Sequence, residues 1–142
     1  MKIHRLGWLT TYTTEYEATR RFFIDVLGLP IEVEEPSFSQ LPMADADHDY
    51  VEVLGTDDPD SEFEARYYTT GPVVGFVVDD VAAARVELIA AGVDVLDEIR
   101  WSTRREGYGW FHFRAPDGNV YGLMQGSHWR GAERAGAIES ME

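Results

Sequence analysis

The stretch Trp110–Gln125, WFHFRAPDGNVYGLMQ, most constrains what this chain can fold into. Two short runs rich in aromatic and β-branched residues flank Ala-Pro-Asp-Gly-Asn. Pro116 presets φ for the first corner of a turn, and Gly118 can take the positive φ that closes it. The pattern predicts a β-hairpin with a tight, Gly-bulged loop. Such a hairpin is common by itself, so its weight comes from what precedes it.

Two helical patterns stand upstream, and each ends on a glycine. Ile3–Thr13 reads as a strand, with Leu6, Trp8, Thr10 and Tyr12 on one face. Thr14 and Glu17 have capping-box spacing, and a helix is predicted from there to about Leu27. Its buried face would carry Thr19, Phe22, Phe23, Val26 and Leu27. Gly28 fits a left-handed C-cap and Pro30 forbids continuation. Strands are then predicted at Ile31–Glu35, Phe38–Met43 and Tyr50–Leu54.

From Gly71 the pattern restarts. Val73–Val78 reads as a strand, and Asp79 or Asp80 caps a helix that buries Val81, Ala84, Leu88 and Ala91. Gly92 ends it, 64 residues after Gly28. Val93–Trp101 supplies strand material, Ser102–Gly109 a loop, and the hairpin closes the set. Each half therefore reads β-α-β-β-β, an internal repeat detected by spacing rather than identity. The expected fold is α+β: paired modules over about 3–56 and 71–126 forming a curved, cup-like mixed sheet, with helices on its outer face.

Composition narrows the function classes. A formal net charge of −14 over 142 residues argues against nucleic acid or an anionic membrane as partner. No apolar run approaches the ~20 residues of a membrane span, and the N-terminus shows no secretory pattern. The absence of cysteine removes disulfides and thiolate chemistry, so a reducing cytoplasm is expected. The acidic tract with Asp45, Asp47, Asp49, Asp57, Asp58, Asp60, Glu62 and Glu64 lacks the Gly and terminal Glu of an EF-hand. It reads as solvated loop, with residues 57–70 as a linker. Residues 128–142 read as a tail with weak helical periodicity.

The pieces RRFFIDVLGLP, YVEVLG and APDGNVYGL, in this order, resemble the vicinal oxygen chelate superfamily. That family includes glyoxalase I, extradiol dioxygenases, fosfomycin-resistance enzymes and bleomycin-resistance proteins. The resemblance implies two βαβββ modules, a small-molecule site inside the cup and homodimeric pairing. In metal-using relatives four His or Glu ligands come from the first and last strands of the modules. Motif by motif those positions fall here on Trp8, Glu52, Val73 and Gly122. Trp, Val and Gly have no coordinating side chain, and catalytic metal sites use about three protein ligands. The resemblance therefore implies no resident metal and no cofactor; a divalent ion recruiting His4 or His112 is the alternative.

Strand parity and motif match together give the expected ligand-binding set: Trp8, Thr10, Tyr12, Tyr50, Glu52, Val73, Trp101, Trp110, His112, Arg114, Gly122 and Met124. Phe111 and Phe113 should face the helix as core. Glu52, flanked by core-facing Val51 and Val53, would feel desolvation and suit a proton acceptor or cation anchor. A wetted rim position, or pairing with Arg114, is the bland alternative. His112 matches a substrate-contacting position of the fosfomycin-resistance relatives, against a histidine simply hydrogen-bonded within the sheet. Arg100, Arg104, Arg105 and Arg114 lie near Trp101, Tyr108 and Trp110, where they could hold an anionic or planar ligand or bridge to local carboxylates. Two functions follow as expectations. The first is a metal-independent protein of the bleomycin-resistance type that binds an aromatic or anionic small molecule. The second is a lyase, isomerase or dioxygenase-like enzyme with Glu52 and His112 as acid–base pair, or with a relocated metal.

Overall fold

The structure is a computed structural model, and it describes residues 1–43, 49–103 and 105–126. Asp45 and Asp47 of the acidic tract, Arg104 and the 128–142 tail lie outside the described residues. The chain divides into two compact units: Trp8–Val74, and Met1–Gly7 with the chain from Gly75 on. The element order is β-α-β-β-β in the first half and β-α-β-β-β-β in the second, and the α+β class expected from the sequence is found.

In the Trp8–Val74 unit, β1 (Leu6–Thr13) lies parallel to β4 (Tyr50–Gly55), β4 antiparallel to β3 (Phe38–Pro42), and β3 antiparallel to β2 (Val33–Glu35). Parallel β1 and β4 require a crossover, which α1 (Tyr16–Arg21) and the following turn supply. Helix α1 packs on the face that carries Val53 and Ser39. There the Tyr16 hydroxyl and Ser39 Oγ lie within hydrogen-bond distance, and Gly55 leaves room for the Tyr16 ring.

Two expectations for this helix fail. The capping box does not form: Glu15 is the N-cap without a side-chain bond, and Thr13 Oγ1, not Thr14, accepts the Glu15 N–H at 2.8 Å. The expected buried stripe is also wrong. Thr19 and Phe23 are half-buried, whereas Phe22, Val26 and Leu27 are 49%, 69% and 55% exposed. The backbone widens into a π-helix over Phe22–Val26, with the Leu27 N–H reaching back five residues to Phe22 O. A wider turn advances less per residue, so a stripe projected at 3.6 residues loses its phase. Gly28 does take the C-capping conformation, at φ 76°.

The stretch read as a solvated linker is neither solvated throughout nor without structure. It contains α2 (Ser61–Glu64) and a 3₁₀ turn (Ala65–Tyr67), with Asp58, Ser61, Glu64 and Tyr67 buried. Asp58 Oδ1 accepts the Asp60 N–H and Ser61 Oγ donates to Thr56 O, so short polar side chains build the turn locally.

In the other unit the strands run β5 (Val73–Val77, from Gly75), β9 (Val120–Gln125), β8 (Gly109–Arg114) and β6 (Asp94–Val95), with β7 (Arg100–Trp101) also on β8. The hairpin forms in the expected place: Gly118 has φ 90° and its N–H donates to Ala115 O. Helix α3 (Val81–Ala90) is capped by Asp80, whose carboxylate accepts the Ala83 N–H. Val78, Val81, Ala84, Phe111 and Leu123 make the core beneath it, with Phe113 alongside, as parity required. Leu88 is only half-buried and Ala91 is exposed as the C-cap, so the buried face is shorter than expected. The strand expected at Val93–Trp101 is broken into β6 and β7, and Asp97 lies at the break.

Candidate functional site

The β1–β4–β3 register puts three polar side chains in one row. Thr10 pairs with Glu52 across β1 and β4, and Glu52 with Gln40 across β4 and β3. All three are buried, at 4%, 8% and 4% exposure. Thr10 Oγ1 donates to Glu52 Oε1 at 2.8 Å, and Gln40 Nε2 donates to Glu52 Oε2 at 2.7 Å. Both are charge-assisted bonds that favour the ionised carboxylate. Gln40 Oε1 is buried and has no hydrogen-bond partner among the described residues. An acceptor left in that state costs roughly 1–3 kcal/mol.

Alternation places Trp8, Tyr12, Tyr50 and Leu54 on the same face as this row, away from α1. Trp8 and Tyr50 are buried register partners, and Val73 is buried in the same unit. Tyr12 meets Tyr68 with ring centroids 5.9 Å apart. Tyr68 thus brings the 57–70 stretch against this face. Burial, then the Glu64 and Glu52 carboxylates, push its phenol well above the usual tyrosine range, while a hydrogen bond with Thr10 pulls the other way. The row is therefore acceptor-rich, negatively charged and walled by aromatic rings.

In the other unit His112 is fully buried, and Asp97 holds it. Asp97 Oδ1 accepts the His112 backbone N–H at 2.7 Å, and Oδ2 lies 2.8 Å from Nδ1. Gly122 is the cross-strand partner of His112, and Met124 that of Trp110; Gly122 and Met124 are buried. Trp110 meets Tyr108 edge to face. Arg114 Nη1 donates to Gly118 O at 2.9 Å and its Nε lies 3.8 Å from Asp94, so it serves the hairpin turn. Trp101 is half exposed, its ring lying over Gly109 where a Cβ would stand. Arg105 donates its N–H to Ser102 Oγ. His4, once a candidate metal recruit, is exposed and pairs with Asp79 at 2.8 Å.

Sequence reasoning brought together Thr10 and Glu52 but missed Gln40, Tyr68 and Asp97. Gln40 was within reach: antiparallel pairing of Phe38–Met43 with Tyr50–Leu54 sets it opposite Glu52. Asp97 left no signal of its own, being one of three acidic residues in the mixed stretch Asp94–Glu98. Tyr68 left none, since nothing in an acidic stretch says which ring turns inward.

A strand–helix unit followed by further strands, present twice in the chain, defines an α+β scaffold. The chain belongs to the Glyoxalase/Bleomycin resistance protein/Dioxygenase superfamily, whose model matches residues 5–122. No curated protein matches it in sequence. Among solved structures it is similar to methylmalonyl-CoA epimerase from Mycobacterium tuberculosis, at 17% identity and TM-score 0.68, over 87% of this chain and 88% of that one. It is similar also to the Mn(II)-bound glyoxalase from Novosphingobium aromaticivorans, at 21% identity and TM-score 0.64. That likeness covers 87% of this chain and 39% of that one, so this chain spans well under half the glyoxalase's length. The Streptomyces coelicolor methylmalonyl-CoA epimerase matches at 22% identity and TM-score 0.64, over 87% and 98% of the two chains. At such identities the likeness is one of fold. Of the four positions where the resemblance puts metal ligands, only Glu52 offers a donor, and both its oxygens already accept hydrogen bonds. These residues do not fit a resident divalent ion.

Proposed function

We propose that this protein binds a small aromatic ligand without a metal, on the face built around Glu52. Gln40 carries this reading: a buried acceptor with no donor among the described residues, beside a buried carboxylate, calls for a ligand that donates hydrogen bonds. A ligand ammonium or amidinium group would meet Gln40 Oε1 and the Glu52 carboxylate together, while its ring packs on Trp8, Tyr12 or Tyr50. The anionic ligand also expected from the sequence loses support, because Arg114 is engaged by Gly118 O and Asp94. An enzyme of lyase or isomerase type is the second reading, with Glu52 as proton acceptor; its burial on the aromatic-walled face supports it. The exposed side chains of Phe22, Val26 and Leu27, which follow α1, support a homodimer.

The test is a thermal-shift screen of aromatic amines, aromatic carboxylates and divalent metals, run in parallel on wild type and Glu52→Gln. A native-state ligand stabilises by about 2.7 kcal/mol at a hundred times its Kd. Aromatic amines should raise the melting temperature of wild type and fail on Glu52→Gln. Stabilisation by carboxylates or metals alone would reject the reading.

A further inference from the structure

The Asp97–His112 contact assigns a proton to one nitrogen of the ring, independently of the Glu52 reading. His112 is 0% exposed and the Asp97 side chain 5% exposed, so neither relies on bulk water. The Asp97 segment is pinned on both sides: the Leu96 N–H donates to His112 O at 2.9 Å, and Arg85 Nε of α3 donates to Asp97 O at 2.9 Å. Between β6 and β7 the strand ladder lapses, and the Asp97 carboxylate takes over as acceptor for the His112 N–H. A backbone amide can only donate, so it fixes the position of Oδ1. The second oxygen of the same rigid group is then carried to Nδ1, 2.8 Å away. A carboxylate can only accept, so Nδ1 must bear hydrogen.

We propose that Asp97 is a positioning residue that locks His112 as the Nδ1–H tautomer and makes Nε2 the basic nitrogen of the neutral ring. Two features suit such a ring to proton transfer or to holding a ligand donor. The nearby carboxylate stabilises the imidazolium formed when Nε2 takes up a proton. The cross-strand neighbour, Gly122, has no side chain to crowd the ring. Asp97 acts only through His112. The dyad is a site feature separate from Glu52, and it stands or falls without reference to any ligand there.

Nitrogen-15 spectra of the ring nitrogens read the tautomer directly. The protein has four histidines, and the His112 signals are those lost in His112→Gln. In wild type the neutral ring should show a protonated Nδ1 and an unprotonated, pyridine-like Nε2. Asp97→Asn keeps an oxygen for the His112 N–H but turns an NH2 towards Nδ1. The ring should then switch to the Nε2–H tautomer while the backbone spectrum stays native. A purely structural clip would cost stability in Asp97→Asn and leave the ring pattern unchanged; that outcome overturns the proposal. So does a wild-type ring already in the Nε2–H form, which decides the matter even if Asp97→Asn fails to fold.

Discussion

The Thr10–Glu52–Gln40 row ties binding to stability at the level of single atoms. Thr10 and Gln40 each donate to the buried Glu52 carboxylate, and hydrogen bonds to charged groups contribute about 1.5–3 kcal/mol each. Thr10→Val keeps the β-branched shape and removes the 2.8 Å donor. It should lower stability in urea by about 1.5–3 kcal/mol. A change below about 0.5 kcal/mol, the size of an ordinary surface substitution, would mean the bond is not held in solution. Glu52→Gln sets an NH2 against one of the two donors, and should cost about 1–3 kcal/mol while leaving the fold intact. Retained cooperative unfolding makes it a usable control for the ligand screen. Collapse of the fold would instead mark Glu52 as part of a structural polar network. Gln40 lies on the other side of this balance, because its Oε1 has yet to find a donor among the described residues.

Among the elements, the 57–70 stretch and the α1 crossover depart furthest from the sequence reading, and each yields a measurement. Tyr68 rests against β1, and burial beside Glu64 and Glu52 raises its pKa well above 10.0; burial also raises that of Tyr16, against β3. A group raised in the folded state contributes stability that is complete below its unfolded pKa and is lost as pH climbs towards the folded one. Unfolding free energy should therefore fall as pH rises above about 10, the unfolded tyrosine value. Tyr68→Phe should flatten that fall; an equally steep fall in the variant would clear Tyr68 of the effect. Where β4 meets α1, a Cβ at Gly55 would lie 2.9 Å from Tyr16 Cβ and collide with Ser37 Oγ. Gly55→Ala should cost about 1–3 kcal/mol, the usual penalty of overpacking, and a neutral result would mean that helix and strand are loosely seated. The hairpin and both glycine helix stops were legible because Gly118, Gly28 and Gly92 are local signals, read within a few residues. The face of α1 was not, because a π-turn is decided by packing rather than by pattern. Glu52 was found by alternation, whereas its partner Gln40 needed a strand pairing and Tyr68 a chain path that no local rule supplies.

The whole molecule sets a strong net charge against its exposed apolar side chains. Among the described residues no helix is long and apolar enough to cross a membrane. A net charge of −14 makes two copies repel one another. Yet Phe22, Val26 and Leu27 are exposed at 49%, 69% and 55%, on one short segment that also carries the π-turn. Each would gain by leaving water, at about 25 cal/mol per Å² of apolar area buried. Pairing through this segment is thus a contest between apolar burial and charge repulsion. Salt decides such a contest in a known direction: at 1 M ionic strength the screening length falls to about 3 Å, while apolar burial is little weakened. The homodimer proposed above should therefore tighten as salt is raised. Sedimentation equilibrium over about a hundredfold in concentration, where mass action separates a monomer from a dimer, gives the test. The expected result is a mass approaching twice 16.1 kDa, reached at lower protein concentration in high salt. Val26→Glu should return the monomer without loss of unfolding cooperativity, because Val26 is already exposed in the single chain. A mass of 16.1 kDa at every concentration and salt would overturn the dimer. A dimer unmoved by Val26→Glu would place its interface elsewhere.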